Sequence, residues 1–271
     1  MQVSLFFPCP QLSPFISKIL YLRNDSSGNL ESKMIPRGHP AFIFTFPDQP
    51  DIENKLHGVS RLYKPANVYF NGMVTASVCA LFPAKSSFML ALLHPHCTGI
   101  FFREEANNFI NGLYNVTNID QYSRDVIDRI MDQPDIYGKI RVVETYLLTK
   151  IIGQIPCSVT ERSMAAMCSG NGVYSVNELA LRAYVSERNL RRKFMQHVGL
   201  SPKQYASIVR FRSVIKKIIA EKPVDWWQIV VDFGYYDLSH LSKDFNKYTG
   251  MSPEKYISQY HSIDAKFLPS L

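Results

Sequence analysis

The chain has 271 residues, 46% apolar and 20% charged, with 30 Lys and Arg against 23 Asp and Glu; this length holds two domains, and the composition excludes a predominantly disordered chain. The net charge of +7 is uneven, because residues 1–170 carry 15 basic and 14 acidic side chains whereas residues 171–271 carry 15 and 9, which points to a polyanion partner for the second half. Cys9, Cys79, Cys97, Cys157 and Cys168 form no C-x-x-C pair, Pro8 and Pro10 interrupt the apolar run 3–7, and the longest apolar spans, such as 89–93, are short, so a disulfide framework, a secretory leader and a membrane helix are not expected, and the reading is a soluble cytoplasmic protein.

Along the chain, ten of the sixteen prolines lie before residue 100, where the apolar runs are short and aromatic. The runs 41–46, 68–70 (before an Asn71-Gly72 turn signal), 76–82 and 100–102 predict short strands separated by turns. From residue 121 the period changes. Val126, Ile127, Ile130 and Met131 predict a helix over 122–131, and Ile140, Val143, Tyr146, Leu147 and Ile151 a second over 139–152. These two helices either cover the β-rich part or form a dimer surface. Beyond Pro156 the pattern is helical throughout, which places a boundary near 153–158.

The helical part repeats itself. Leu190, Phe194, Gly199, Ser201, Pro202 and Tyr205 recur 51 residues later as Leu241, Phe245, Gly250, Ser252, Pro253 and Tyr256. Upstream the offset is 50, pairing Val176 with Trp226, Leu179 with Ile229 and Ala180 with Val230, so the second copy has one extra residue in its turn. In the first copy, Val176, Leu179 and Ala180 share one face of a short helix over 176–182. Ser186 is placed to cap a second helix whose Leu190, Phe194 and Val198 face a core, and Gly199 ends it. This is a helix-turn-helix. The opposite face of its second helix carries Glu187, Arg188, Arg191, Arg192 and Met195, a basic stripe suited to guanine edges or phosphates. In the second copy the turn is Gly234-Tyr235-Tyr236, Asp237 is the cap, and Leu241 and Phe245 face inward. Leu238, Ser239, Ser242 and Lys243 point outward, with His240 at the margin, so this face is far less basic. Between the copies, 208–220 reads as one helix with Arg210, Arg212, Lys216 and Lys217 opposite its apolar face; its 13 residues span about 20 Å. Successive major grooves repeat at ~34 Å, leaving a gap for DNA bending to bridge.

The motifs Leu179-Ala180 through Val185-Ser186, Leu190 to Phe194, Gly199-Leu200-Ser201-Pro202 to Tyr205, Gly234 to Phe245 and Gly250-Met251-Ser252-Pro253 to Tyr256 resemble the DNA-binding domain of the AraC/XylS family of bacterial transcription regulators. The resemblance spans roughly residues 158–260. It implies a transcription factor, not an enzyme, with two helix-turn-helix subdomains reading adjacent major-groove segments of double-stranded promoter DNA. Arg188, Arg191, Arg192, Leu238, Ser239, Ser242 and Lys243 would be the DNA-binding residues. Ala180, Ser186, Leu190, Phe194, Pro202, Gly234, Leu241, Phe245 and Pro253 would be the structural positions. It further implies an activator working with RNA polymerase, a small-molecule effector and a homodimer as partners. Val230 stands where the family usually has Ala, and Ile257 where it often has Arg. In the first half, Pro36-Arg37-Gly38 before Phe42-Ile43-Phe44, and the stretch from Leu93 to Phe102, resemble the β-rich sensor domains that precede such a unit. The expected fold class is therefore α+β, a β-rich N-terminal domain, with a cupin-like form among its options, followed by an all-α domain. The division is 1–120 for sensing or dimerisation, 121–157 as helical linker and 158–262 for DNA.

Two alternatives stay open for the first domain, dimerisation or protein contact with no ligand, and metal-dependent chemistry. His94, His96 and Cys97 are the cluster with metal-ligand residue types, but the nearest acids, Glu104 and Glu105, lie too far along for a cupin site, and Pro95 fixes the backbone between the histidines. No metal, cofactor or catalytic residue is therefore assigned. A phosphate loop, a G-x-S-x-G elbow and an H-E-x-x-H motif do not occur.

Overall fold

The computed structural model describes residues 1–221 and 223–259, so positions 260–262 of the expected DNA-binding unit lie outside the described residues. Its strands in chain order are β1 (Gln2–Phe6), β2 (Ile16–Arg23), β3 (Leu30–Met34), β4 (Ala41–Thr45), β5 (Ile52–Leu56), β6 (Val59–Tyr63), β7 (Asn67–Asn71), β8 (Val78–Phe82), β9 (Ser87–Leu93) and β10 (Leu113–Asn115). They form a six-stranded sheet in the order β1-β2-β9-β4-β7-β10 and a four-stranded sheet in the order β3-β8-β5-β6, with every pairing antiparallel.

The larger sheet is covered on both faces. Two helices, α1 (Tyr122–Met131) and α2 (Ile136–Lys150), lie on one side. Val126, Ile127, Ile130, Val143 and Leu147 pack there with Phe42, Phe44 and Phe70, whereas Ala41, Ile43, Leu20 and Leu22 pack toward the smaller sheet. A strand buried on both faces leaves little place for polar alternation, which is why 41–44 reads as an unbroken apolar run and the buried Thr45 after it donates to Lys64 O at 2.7 Å. The expected second helix runs over 136–150 rather than 139–152, because Asp135 caps it by accepting from Gly138 N at 2.7 Å.

Two expected β features differ. Residues 100–102 form turns, closed by Ile100 N to Cys97 O at 3.1 Å and Glu104 N to Gly99 O at 3.1 Å, and Phe101 enters the core from there. Asn71-Gly72 makes no hairpin, since β7 and β8 belong to different sheets. Gly72 is instead a packing glycine: a Cβ there would lie 1.7 Å from Phe109 O. The hairpin that does form joins β5 to β6 through His57 and Gly58, both with positive φ (51° and 78°).

The remaining helices are α3 (Ser158–Ser169), α4 (Val176–Arg182), α5 (Glu187–His197), α6 (Pro202–Ala220), α7 (Trp226–Asp232), α8 (Leu238–Thr249) and α9 (Pro253–Gln259). They enclose one apolar core in which Leu179, Leu190, Phe194, Val198, Val214, Ile215 and Phe245 are fully buried. The connecting helix begins six residues earlier than 208. Ser201 and Gln204 form a capping box around Pro202 at its first position, and its 19 residues extend about 28 Å. The rod between the two units is thus closer to the ~34 Å repeat of successive major grooves than a 13-residue helix would be. Among the described residues no helix is long and apolar enough to cross a membrane.

Candidate nucleic-acid interface

The first helix-turn-helix is α4 and α5. Ser175 and Glu178 close a capping box on α4, and Arg162 of α3 donates to Ala183 O at 3.2 Å, holding the turn from behind. Ser186 caps α5 by accepting from Asn189 N at 3.3 Å. Val185 N donates to Ala180 O at 3.0 Å, which seats the turn on the buried Ala180. Leu190 and Phe194 are 0% exposed, and that anchoring fixes the opposite face, where Arg188, Arg191, Arg192 and Met195 are exposed. The guanidinium of Arg191 lies 3.1 Å from Glu187 Oε2, and that of Arg192 donates to Asn189 Oδ1 at 3.0 Å. Such surface pairs are weak and exchange readily for a base edge or a phosphate.

The second unit, α7 and α8, repeats the plan with one extra residue in the turn. Tyr235 N donates to Val230 O at 3.0 Å, matching the Val185 bond at the 50-residue offset, and Asp237 caps α8 by accepting from His240 N at 2.7 Å. The added residue is therefore Tyr236, which is 92% exposed. Leu241 and Phe245 are buried as expected. Ser239 and Lys243 are exposed and Ser242 half-buried. Leu238 departs from the expected outward position: at the start of α8 it is half-buried and packs against the helical core. Pro202 and Pro253 stand at the first positions of α6 and α9. Asp244 binds the second unit to α6, its Oδ2 lying 3.1 Å from Arg210 Nη2 and accepting from the Tyr235 hydroxyl at 3.0 Å, while the Arg210 guanidinium stacks 4.2 Å from the Tyr235 ring centre. Burial and the neighbouring carboxylate push the Tyr235 phenol well above its usual range.

The connecting helix is not the free basic face its sequence suggests. Arg210 is held by Asp244, Lys217 lies 2.7 Å from Asp232 and 3.3 Å from Glu221, and Arg212 is buried. Lys216 stands beside Arg212 and Lys18 of β2, and burial together with those two cations holds its ammonium below the ordinary range. Its side chain is nevertheless exposed. On α6 the exposed cations are Lys203 and Lys216, whereas α5 exposes Arg188, Arg191 and Arg192.

The β domain meets the helical unit closely. Single 3-10 turns at Pro95–Cys97 and Ala106–Phe109 pack against α5, and the backbone of Gly199 abuts Ala106 and Ile110. His96 is 6% exposed, neither ring nitrogen meets a partner among the described residues, and burial with the nearby His94 and His197 pushes its pKa down to about 4. The His94 and His96 rings stack with centres 5.7 Å apart. Among the described residues no three His, Cys, Asp or Glu side chains gather as a metal site needs.

Between the two sheets lies a cavity of about 110 Å³, which sequence reasoning missed because its lining comes from eight strands. Two segments wall it off from the helices. In one, Ile35, Pro36, Arg37 and His39 line the cavity, while Ile35 also belongs to the helical core and the Tyr205 hydroxyl of α6 donates to Gly38 O at 3.4 Å. In the other, Asn71 and Val74 line the cavity and Met73 lies in the helical core.

Comparison with known proteins gives two matches to family models, one described as a helix-turn-helix domain over residues 179–259 and one described as a domain of unknown function (DUF6597) over residues 4–114. An uncharacterized HTH-type transcriptional regulator of Haemophilus influenzae is 30% identical over 83 residues, 31% of this chain; the match spans 28% of that relative's length. Among solved structures, ToxT from Vibrio cholerae matches with TM-score 0.46 and 10% identity over 95% of this chain and 97% of its own. ToxT with a bound unsaturated fatty acid matches at 0.44 and 10% over 88% and 93%. The AraC-like transcriptional activator CuxR matches at 0.34 and 11% over 79% and 86%. Two capped helix-turn-helix units on one connecting helix, with the family match lying across both of them, make residues 179–259 a helix-turn-helix domain, the part of the chain whose motifs resemble the AraC/XylS family.

Proposed function

We propose that the protein is a sequence-specific DNA-binding transcription regulator in which α5 and α8 read adjacent major-groove segments of a promoter. The observation that carries this reading is the arginine face of α5: Arg188, Arg191 and Arg192 are exposed on a helix whose other side is locked by Leu190 and Phe194 at 0% exposure. In this reading 158–262 holds the DNA, 121–157 links, and 1–120 senses a small molecule. The sensing role is supported by the cavity and by the two segments that line it and also pack into the helical core, so that filling the cavity changes the surface on which α6 rests. An activator acting beside RNA polymerase as a homodimer fits the family. The test is genome-wide footprinting of the purified protein with R191A and R192A variants beside it. Discrete protected sites that both variants weaken and blur support the reading, and equal losses on specific and random DNA overturn base readout.

A further inference from the structure

The polar groups in the cavity wall restrict what can enter. Most of the lining is aliphatic or aromatic, including Ile43, Ile52, Phe82 and Phe88, and Arg37 is the one charged side chain in it. Asn54 Nδ2 donates to the Tyr63 hydroxyl at 3.0 Å, but its Oδ1 is buried and, among the described residues, no donor reaches it; Asn71 Oδ1 is in the same condition. A buried amide oxygen left without a donor costs about 1–3 kcal/mol, and native folds rarely keep two such atoms on one cavity. The other titratable lining groups are neutral. His39 accepts no proton at physiological pH, since burial and then Arg212 push its pKa down to about 3, and burial pushes Tyr63 up to about 12. The His39 Nδ1 lies 2.9 Å from Leu93 O, which makes it the protonated nitrogen.

Resting on the reading of the N-terminal domain as a sensor, we infer that the cavity takes a small uncharged molecule with a ring-sized apolar body and one O–H or N–H donor, given to the buried amide oxygen of Asn54 or of Asn71. A cation has no carboxylate to meet in this lining and faces Arg37. A carboxylate gains Arg37 but turns its own oxygens toward two more acceptors and must shed its hydration. A volume near 110 Å³ is on the scale of one six-membered ring.

The experiment is calorimetric titration of the full chain with phenol, toluene, benzoate and benzylamine, each of ring size and differing in the polar end. Phenol is expected to bind roughly five- to tenfold more tightly than toluene, the worth of one hydrogen bond to a buried acceptor, with both ions weaker than phenol. Whichever of Asn54→Leu and Asn71→Leu removes the accepting oxygen is expected to bring phenol toward the level of toluene, and the double variant to reach it. Asn71→Leu leaves the Asn54–Tyr63 bond intact and serves if the Asn54 variant does not fold. Toluene binding as tightly as phenol overturns the role of the amide oxygens. Benzoate or benzylamine binding most tightly overturns the ligand class and leaves the sensor reading standing. Failure of all four overturns both, while DNA binding by α5 is judged separately by footprinting.

Discussion

At the turn of the first helix-turn-helix, Tyr184 adopts φ 58°, and in the second Gly234 occupies the equivalent position with φ 62°. The backbone plan is thus the same, and the side chains differ in task. The first unit is held by an apolar core and by the β domain lying against α5, which leaves its arginines for a partner. The second is held by a polar network of Arg210, Tyr235 and Asp244 and presents a nearly neutral reading face. The position of Asp244 in the first copy is Lys193, and that of Tyr235 is Val185, so the network has no counterpart there. The two units share one geometry, and in the proposed reading the first supplies grip on DNA and the second finer reading.

The largest effect that tests this contrast is Asp244→Ala. It leaves the Arg210 guanidinium without its carboxylate in a site where the two side chains are 16% and 10% exposed, and the expected loss is about 3–5 kcal/mol in equilibrium unfolding. Removing Lys193 at the equivalent place of the first unit should cost under about 1 kcal/mol; similar losses at both would erase the distinction.

Acid should act at the other unit's support. The pKa of His96 falls from 6.5 to about 4 on folding, so the folded state holds it neutral while the unfolded state takes up a proton below pH 6.5. Its contribution is fully present above 6.5 and is lost progressively as pH falls toward 4, on the order of 3 kcal/mol in all. Unfolding measured from pH 7 to 4 should show a slope smaller by up to one proton in His96→Leu, and hydrogen exchange should rise first at the C-terminal end of α5. An unchanged slope would remove His96 from the contact.

On DNA, Arg191→Ala and Arg192→Ala should each cost about 1–3 kcal/mol and relax base preference, while Lys243→Ala should cost less and alike on all sequences. Gel-shift titrations on a protected site and on random DNA measure both. The smallest effect is at the turns: Tyr184→Gly relieves a left-handed side-chain residue that is 86% exposed and should stabilise by about 1 kcal/mol, and Gly234→Ala should destabilise by a similar amount. Thermal melts of the two variants should move in opposite directions.

The helical half was legible because its signals are local. Capping residues such as Ser186 and Asp237, the 3.6-residue spacing of Leu190 and Phe194, and the one-residue lengthening of the second turn all act within a few positions of one another, and α4 falls where its spacing put it. The outer hairpin of β5 and β6 and the strands β2, β3 and β9 went unread. Strand pairing is decided by partners far along the chain, such as Ala41 with Leu92 and with Asn71.

By itself the sequence determined the two-unit helical plan, the charge excess of its half and the arginines that an inward Leu190 and Phe194 must turn outward. Only the tertiary structure decided that Arg210, Arg212 and Lys217 of the connecting helix face protein, that Leu238 packs inward, and that one wall serves both the cavity and the helical core. The physical reason is that a residue's helical face follows from its spacing, whereas what that face meets depends on other elements folded against it, from 15 residues away for Lys217 and Asp232 to 167 for Tyr205 and Gly38.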